Sequence, residues 1–286
     1  MNGLHTLMTG LVVGESPRWH EGRLWFSNWG AQEIVAVDPH GNSKVVTRVP
    51  TTVPLSIDWL PDGRLLVVSG PEGLLLRLEA DGSLVTHVDL RGLSDRPWNE
   101  IVVDGRGNIY VNSICFRFGE EEFRPGIVAL VTPDGSVRQV ADDVAFPNGM
   151  VVTPDNGTLV VAESFPGRLT AFDIAADGSL SNRRVWAELG PAGGDGICLD
   201  AEGAIWSSAM RDGRPVCVRV RDGGEILQRI DLDVACFACM LGGDDGRTLF
   251  MMTAEWLGVE QMDALFRSRT GRVLTAPAPA PGAGWP

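Results

Sequence analysis

The sequence predicts an all-β protein, a six-bladed β-propeller with four-stranded antiparallel blades, and three observations carry that expectation. An apolar run, a short Asp/Gly turn and a second apolar run recur six times along the 286 residues. The glycines of those turns, Gly22, Gly63, Gly107, Gly157, Gly203 and Gly246, follow one another at intervals of 41 to 50 residues, the period at which propeller blades repeat. The 35 glycines and 18 prolines favour many short strands joined by turns over long helices.

In chain order the hairpins read ESPRWHEGRLWFSN (15–28), LSIDWLPDGRLLVVS (55–69), NEIVVDGRGNIYVNS (99–113), NGMVVTPDNGTLVVAES (148–164), DGICLDAEGAIWSSA (195–209) and FACMLGGDDGRTLFMMT (237–253). Asp-Gly supplies the positive φ of a tight hairpin turn. Between the hairpins lie further strand pairs, from IVAVDPHGNSKVVT to CVRVRDGGEILQRI, which bring each unit to four strands. The sixth unit must borrow GRVLTA (271–276) and GLHTLMTG (3–10). A ring closed by both ends of the chain leaves no open sheet edge. VEQMDALF (259–266) reads as a short helix. The expected organisation is one propeller over residues 1–276 and a Pro/Ala-rich tail over 277–286, which lacks periodicity and is expected to be loose.

A formal net charge of −13 argues against nucleic acid as a partner, since phosphate binding needs clustered Lys and Arg. No apolar run approaches the roughly 20 residues that cross a bilayer as a helix. The segment MNGLHTLMTGLVVGES has neither the basic start nor the long apolar centre of a secretory leader. Cys236-x-x-Cys239 has metal or redox spacing. It stands in apolar VACFACML, with no second pair and no nearby His, so buried strand is the expectation. With five cysteines and no disulfide framework, a reducing, cytoplasmic location is expected.

Aligned on their turn glycines, with small adjustments in turn length, the six hairpins open on Glu15, Leu55, Asn99, Asn148, Asp195 and Phe237. Four of these carry side-chain oxygens, from four blades, at one level of the central channel. Such residues also cap turns. However, Leu55 and Phe237 show that the fold does not demand a polar residue there. No Lys or Arg stands at an equivalent position, and buried carboxylates are costly unpaired. A hard divalent cation would satisfy such a set of two carboxylates and two amides. The four histidines are scattered and none opens a hairpin, which argues against a His-rich zinc site.

GESPRW, WNEIVVDGRGNIYV, FPNGMVVTPDNGTLVVAES and GGDGICLDAEGAIW resemble the senescence marker protein/gluconolactonase/luciferin-regenerating enzyme family, which includes regucalcin, over nearly the whole chain. The resemblance implies a six-bladed propeller with one divalent metal in the channel. It implies metal ligands at Glu15, Asn148 and Asp195, a substrate-contacting amide at Asn99, and Asp195 as general base. Ca²⁺ is the first expectation for the metal, with Mn²⁺, Mg²⁺ and Zn²⁺ open. The partner is then a small-molecule substrate and the reaction metal-dependent opening of a lactone. Glu100 would help orient the substrate, and Arg18, near the start of the first inner strand, would face the same channel.

Two departures stand out. Sugar-lactonase members often carry an Arg two residues before the Asn99 equivalent to grip hydroxyls; here that place is Pro97, with Arg96 one residue off register. Glu100 replaces a common Asp. Trp98 and Pro97 make the rim more apolar than a sugar site needs. The long insert SICFRFGEEEFRPG (113–126) brings Phe116, Phe118 and Phe123 and reads as a lid over the channel. An esterase or phosphotriesterase, a biosynthetic cyclase or isomerase on the same site, and a non-catalytic calcium-binding protein stay open. A serine hydrolase does not, since G-x-S-x-G is missing.

Overall fold

The computed structural model describes residues 3–191 and 193–284. It holds six four-stranded antiparallel sheets arranged as a six-bladed β-propeller. Each of the first five blades is a run of four consecutive strands. Their inner strands are Val13–His20, Leu55–Trp59, Trp98–Val103, Pro147–Val152 and Ile197–Leu199, and the sixth blade opens on Ala235–Gly242. Each inner strand packs against those of the two neighbouring blades, which makes the ring.

The sixth blade closes as expected. Gly271–Pro277 pairs with Thr248–Ala254 on one side and with His5–Leu11 on the other, with His5 opposite Thr275. The helical reading of 259–266 also holds, as a 3₁₀ turn at Val259–Gln261 running into a helix at Met262–Arg267. Among the described residues no helix is long and apolar enough to cross a membrane.

The core lies between blade faces rather than at the axis. Leu66, Val68 and Leu75 of blade 2 meet Ile101, Val103 and Val111 of blade 3. Tyr110, Val128 and Leu130 of blade 3 meet Met150, Leu159 and Phe172 of blade 4. Inner strands are buried on both faces, while outer strands such as Ser43–Arg48 are largely solvent-facing. This gradient explains the near-continuous apolar runs of the hairpins and the weaker alternation of the outer pairs. Cys198, Cys217, Cys236 and Cys239 are free thiols inside the core of blades 5 and 6, with Cys198 Sγ 3.8 Å from Cys239 Sγ.

The hairpin turns sit at the end of the ring opposite the opening residues. In the fourth turn the positive φ falls on Asn156, at 55°, and not on Gly157. Asn tolerates that conformation better than most side chains.

The tail differs from its expectation. Ala278 and Ala280 are buried. The Ala278 amide donates to Arg247 O, the Gly282 amide to Gly246 O and the Ala283 amide to Leu199 O, while Pro281 O accepts from the Ala201 amide. Residues 278–283 are therefore laid along the turn end of blades 5 and 6, away from the opening residues. Their contacts are backbone hydrogen bonds and small alanines in close quarters, neither of which needs a sequence period. Trp285 and Pro286 of that tail lie outside the described residues.

Candidate functional site

Local irregularities aim the opening residues. The strand ladder slips between Glu15 and Arg18 in blade 1, between Trp98 and Ile101 in blade 3 and between Pro147 and Met150 in blade 4. Asp195 precedes its strand, which starts only at Ile197. Blade 2, whose opening residue is Leu55, has an unbroken ladder, and Leu55 stays in the apolar core. A bulge bends its strand and redirects a side chain; blade 6, which opens on the apolar Phe237, slips as well, between Cys236 and Ala238. Ser16, next to Glu15, is buried with φ at 51°, a conformation that costs a non-glycine residue on the order of 1 kcal/mol or more.

Broken ladders free backbone groups that must find partners, and the ends of the second strands provide them. Ser27 Oγ donates to Leu55 O at 2.6 Å and lies 3.0 Å from Glu15 O. Asn112 accepts the Glu100 amide at 3.2 Å and donates Nδ2 to Asn148 O at 2.7 Å. Ser208 Oγ accepts the Asp195 amide at 3.3 Å. Ser164 Oγ accepts Asn148 Nδ2 at 3.3 Å and donates to Gly194 O at 2.7 Å, linking the two segments that carry Asn148 and Asp195. These four residues were not anticipated. Their signal was present, since the quoted hairpins end in WFSN, YVNS, VAES and WSSA, polar residues closing apolar strands.

Glu15 and Asp195 come together at the axis. Burial, and then the charges of Asp195 and Glu100, hold the Glu15 carboxyl well above the usual carboxylate range. Burial and then the charge of Glu100 push Asp195 up to about 8, against a side-chain hydrogen bond from Asn148 and one from the Gly196 amide. Glu100 is raised too, by burial, with Arg18 opposing. Arg18 is the guanidinium at the axis and is already committed. It lies 3.6 Å from Glu100 and 3.8 Å from Asp58, and donates to Ile101 O at 2.7 Å and Pro17 O at 3.0 Å. Among the described residues neither Glu15 nor Asp195 has an ion-pair partner.

Two mutually repelling carboxylates, Glu15 buried and Asp195 half-buried, without an ion-pair partner among the described residues fit a hard cation. Asn148 fits as the third donor, because its Nδ2 is engaged and its Oδ1 is the atom left to a metal. Among the described residues no set of three or more His, Cys, Asp and Glu side chains is arranged to hold a metal; the set here has two carboxylates and an amide.

The other expected substrate residues are placed differently. Asn99 lies beside the site, 5 % exposed, and donates Nδ2 to Pro147 O at 3.0 Å. Glu100 is turned to Arg18 and to Ser16 Oγ, so this pair holds the channel wall instead of facing the mouth. Trp98 is fully buried among Leu66, Val68 and Leu90 between blades 2 and 3, which removes it from any substrate. Phe116 is 2 % exposed, at the centre of an aromatic group in the insert. Arg96 pairs with Glu121 and Asp95, which ties the insert to its blade.

Blades 4 and 5 approach closely at the site. A Cβ on Gly149 would lie 2.6 Å from Asp195 O and from Ile197 N, both backbone atoms that cannot swing away. Gly149→Ala is therefore expected to cost about 1–3 kcal/mol of stability, read by denaturant unfolding. It is also expected to weaken divalent-cation binding by shifting Asp195.

Residues 13–255 match the family model described as SMP-30/gluconolactonase/LRE-like region. Regucalcin from Xenopus laevis is 30 % identical over 261 residues, covering 85 % of this chain and 83 % of its own. A calcium-binding protein, regucalcin, from Agrobacterium tumefaciens superposes with a TM-score of 0.77 at 21 % identity, over 99 % of this chain and 95 % of its own. A gluconolactonase from Xanthomonas campestris superposes with a TM-score of 0.74 at 23 % identity, over 96 % and 89 %. The two superpositions speak to the fold, and the family match to descent: the chain belongs to the SMP-30/gluconolactonase/LRE-like family.

Proposed function

We propose that the chain is a divalent-cation-dependent hydrolase that opens a lactone ring. The observation that carries the reading is the pair of mutually repelling carboxylates, buried Glu15 and half-buried Asp195, without an ion-pair partner among the described residues, with the Asn148 amide beside them. Family membership narrows it to a lactonase-like or calcium-binding role. Glu15, Asn148 and Asp195 would hold the cation, Ca²⁺ before Mn²⁺, Mg²⁺ or Zn²⁺, and the cation would polarise the substrate carbonyl. Asp195 takes a proton from the water that attacks the carbonyl carbon. The ring C–O bond breaks, and that proton passes to the departing oxygen, which leaves as an alcohol. Asn99 orients the substrate beside the base.

The test is hydrolysis of a panel of sugar, alkyl and aryl lactones and simple esters. It is run on chelated protein with each of the four cations restored singly. Opening of a lactone that depends on the cation is the expected result. Tight binding of one cation with no turnover across the panel would replace this reading with a non-hydrolytic one.

A further inference from the structure

We infer that the substrate carries an aryl or extended alkyl substituent, and that five phenylalanines at the channel mouth recognise it. The inference rests on the hydrolase reading for the reacting group and on the mouth itself for the substituent.

The five rings come from three segments. Phe116, Phe118 and Phe123 lie in the insert that follows Ile109–Ser113 in blade 3. Phe146 stands two residues before Asn148, and Phe165 follows Ser164, the residue that holds the Asn148 amide. Phe146 and Phe165 stack at 4.8 Å and 22°. Phe123 meets Phe165 at 4.9 Å and Phe118 meets Phe146 at 5.1 Å. Phe116 backs them all, 5.7 Å from Phe146 and 5.8 Å from Phe165. Phe118, Phe123 and Phe165 remain 37 %, 46 % and 46 % exposed, a contiguous apolar patch of the kind a protein seldom leaves without a use.

What meets this patch is set by its position. It adjoins Asn148 through Phe146 and Phe165, so whatever occupies the site touches it. Its insert also reaches across the ring: a Cβ on Gly119 would lie 2.8 Å from Val259 Cγ2. The insert of blade 3 thus touches the 3₁₀ turn of blade 6, and these blades face each other across the ring. Below that turn, Trp256 and Phe237 stand edge to face at 6.1 Å. An insert that bridges the ring above the site favours a small molecule over a folded protein as what reaches the patch.

The chemistry of the wall selects the substituent. Apolar surface buried against rings is favourable in proportion to its area, whereas hydroxyls laid on it would lose water without gaining partners. Two of the nearby guanidinium groups are spent on the insert itself, Arg96 on Glu121 and Asp95, Arg117 on Glu121. Pro97 offers no donor. A polyol therefore finds little to grip on the rings themselves, and a phenyl or long alkyl group finds apolar surface.

Lactams resist opening and so separate recognition from turnover. Calorimetric titration would compare a phenyl-substituted γ-lactam, the unsubstituted γ-lactam and a polyhydroxylated lactam, on Ca²⁺-supplemented protein. The matching lactones would be assayed for kcat/KM. The phenyl lactam is expected to bind about tenfold more tightly than the unsubstituted one, or better. Phe165→Ala is expected to remove most of that preference, and Phe165→Leu to keep much of it. Phe118→Ala serves as the second variant, and thermal midpoints show that each variant is folded. Equal affinities, a preference for the polyol, a preference indifferent to both alanine variants, or no lactam binding would each overturn the inference. A phenyl preference that depends on Phe165, with no lactone opened, would leave the inference standing and remove the hydrolase reading.

Discussion

Asp195→Ala is expected to lower kcat/KM by about a thousandfold or more, and Asn99→Ala by only about ten- to a hundredfold. Asp195 is asked to do two things: hold charge at the axis and accept a proton. General-base catalysis alone contributes about 10²–10⁴-fold, and the loss of a donor carboxylate adds to it. Asn99 offers hydrogen bonds, each worth about 1–3 kcal/mol when broken in a buried setting. Asp195→Asn refines the comparison, because it keeps the side chain's size and one oxygen to accept from Asn148 or the Gly196 amide while removing the base. Steady-state kinetics on whichever lactone the panel identifies, with cation saturation verified for each variant, decide the matter. Equal and mild losses at both positions would sink the assignment of Asp195 as base.

Glu163→Ala is expected to cost about 3–5 kcal/mol of stability, the usual price of breaking a buried ion pair from one side. Glu163 is fully buried and gathers four partners. The Ala145 amide donates to it at 2.6 Å and Arg168 Nε at 2.9 Å; Arg183 Nη2 lies 3.2 Å away and Thr170 Oγ1 donates as well. Removal strands two guanidinium groups and the amide that leads into Phe146, Pro147 and Asn148. Divalent-cation affinity is therefore expected to fall together with stability, although Glu163 touches neither cation nor substrate.

The pH dependence has a definite sign. Burial alone would raise the Glu163 carboxyl, but the hydrogen bonds from Arg168, Thr170 and the Ala145 amide outweigh it and hold the group below its ordinary 4.5. The folded state thus binds this proton less readily than the unfolded one. The contribution of Glu163 is complete above about 4.5 and fades as pH falls through the lower, folded value. Denaturant unfolding of the wild type and Glu163→Gln should differ most at neutral pH and converge in acid. A gap that stays constant with pH would show that the charge of Glu163 is not what stabilises the fold.

The propeller was legible because its signal repeats. Any one Asp-Gly turn between apolar runs is weak evidence, whereas six at a blade's spacing leave few alternatives. The opening residues were legible for the same reason, since alignment of the repeats singled out Glu15, Asn99, Asn148 and Asp195 against Leu55 and Phe237. Orientation was not legible where the ladder slips. Strand alternation gives the face of a side chain only while the register is continuous. Arg18 lies beyond the bulge that begins at Glu15, and Trp98 and Glu100 lie at the bulge of blade 3. Trp98 accordingly turned into the core, while Arg18 and Glu100 met each other at the channel wall. Phe146 and Phe165 escaped notice because they meet each other only across the hairpin of blade 4, and meet Phe116, Phe118 and Phe123 only across the boundary with blade 3.

The seam of the sixth blade bears on how the molecule folds. His5 pairs with Thr275, nearly a whole chain length away. The entropy of closing so long a loop grows only with the logarithm of its length, so the seam costs little at equilibrium. Its effect is on rate, since contacts between distant residues slow folding. Until His5–Leu11 finds Gly271–Pro277, the latter is an unpaired edge strand with its ladder groups open to other chains. During that interval, aggregation competes with completion of the ring, and the window shuts only when the first strand arrives.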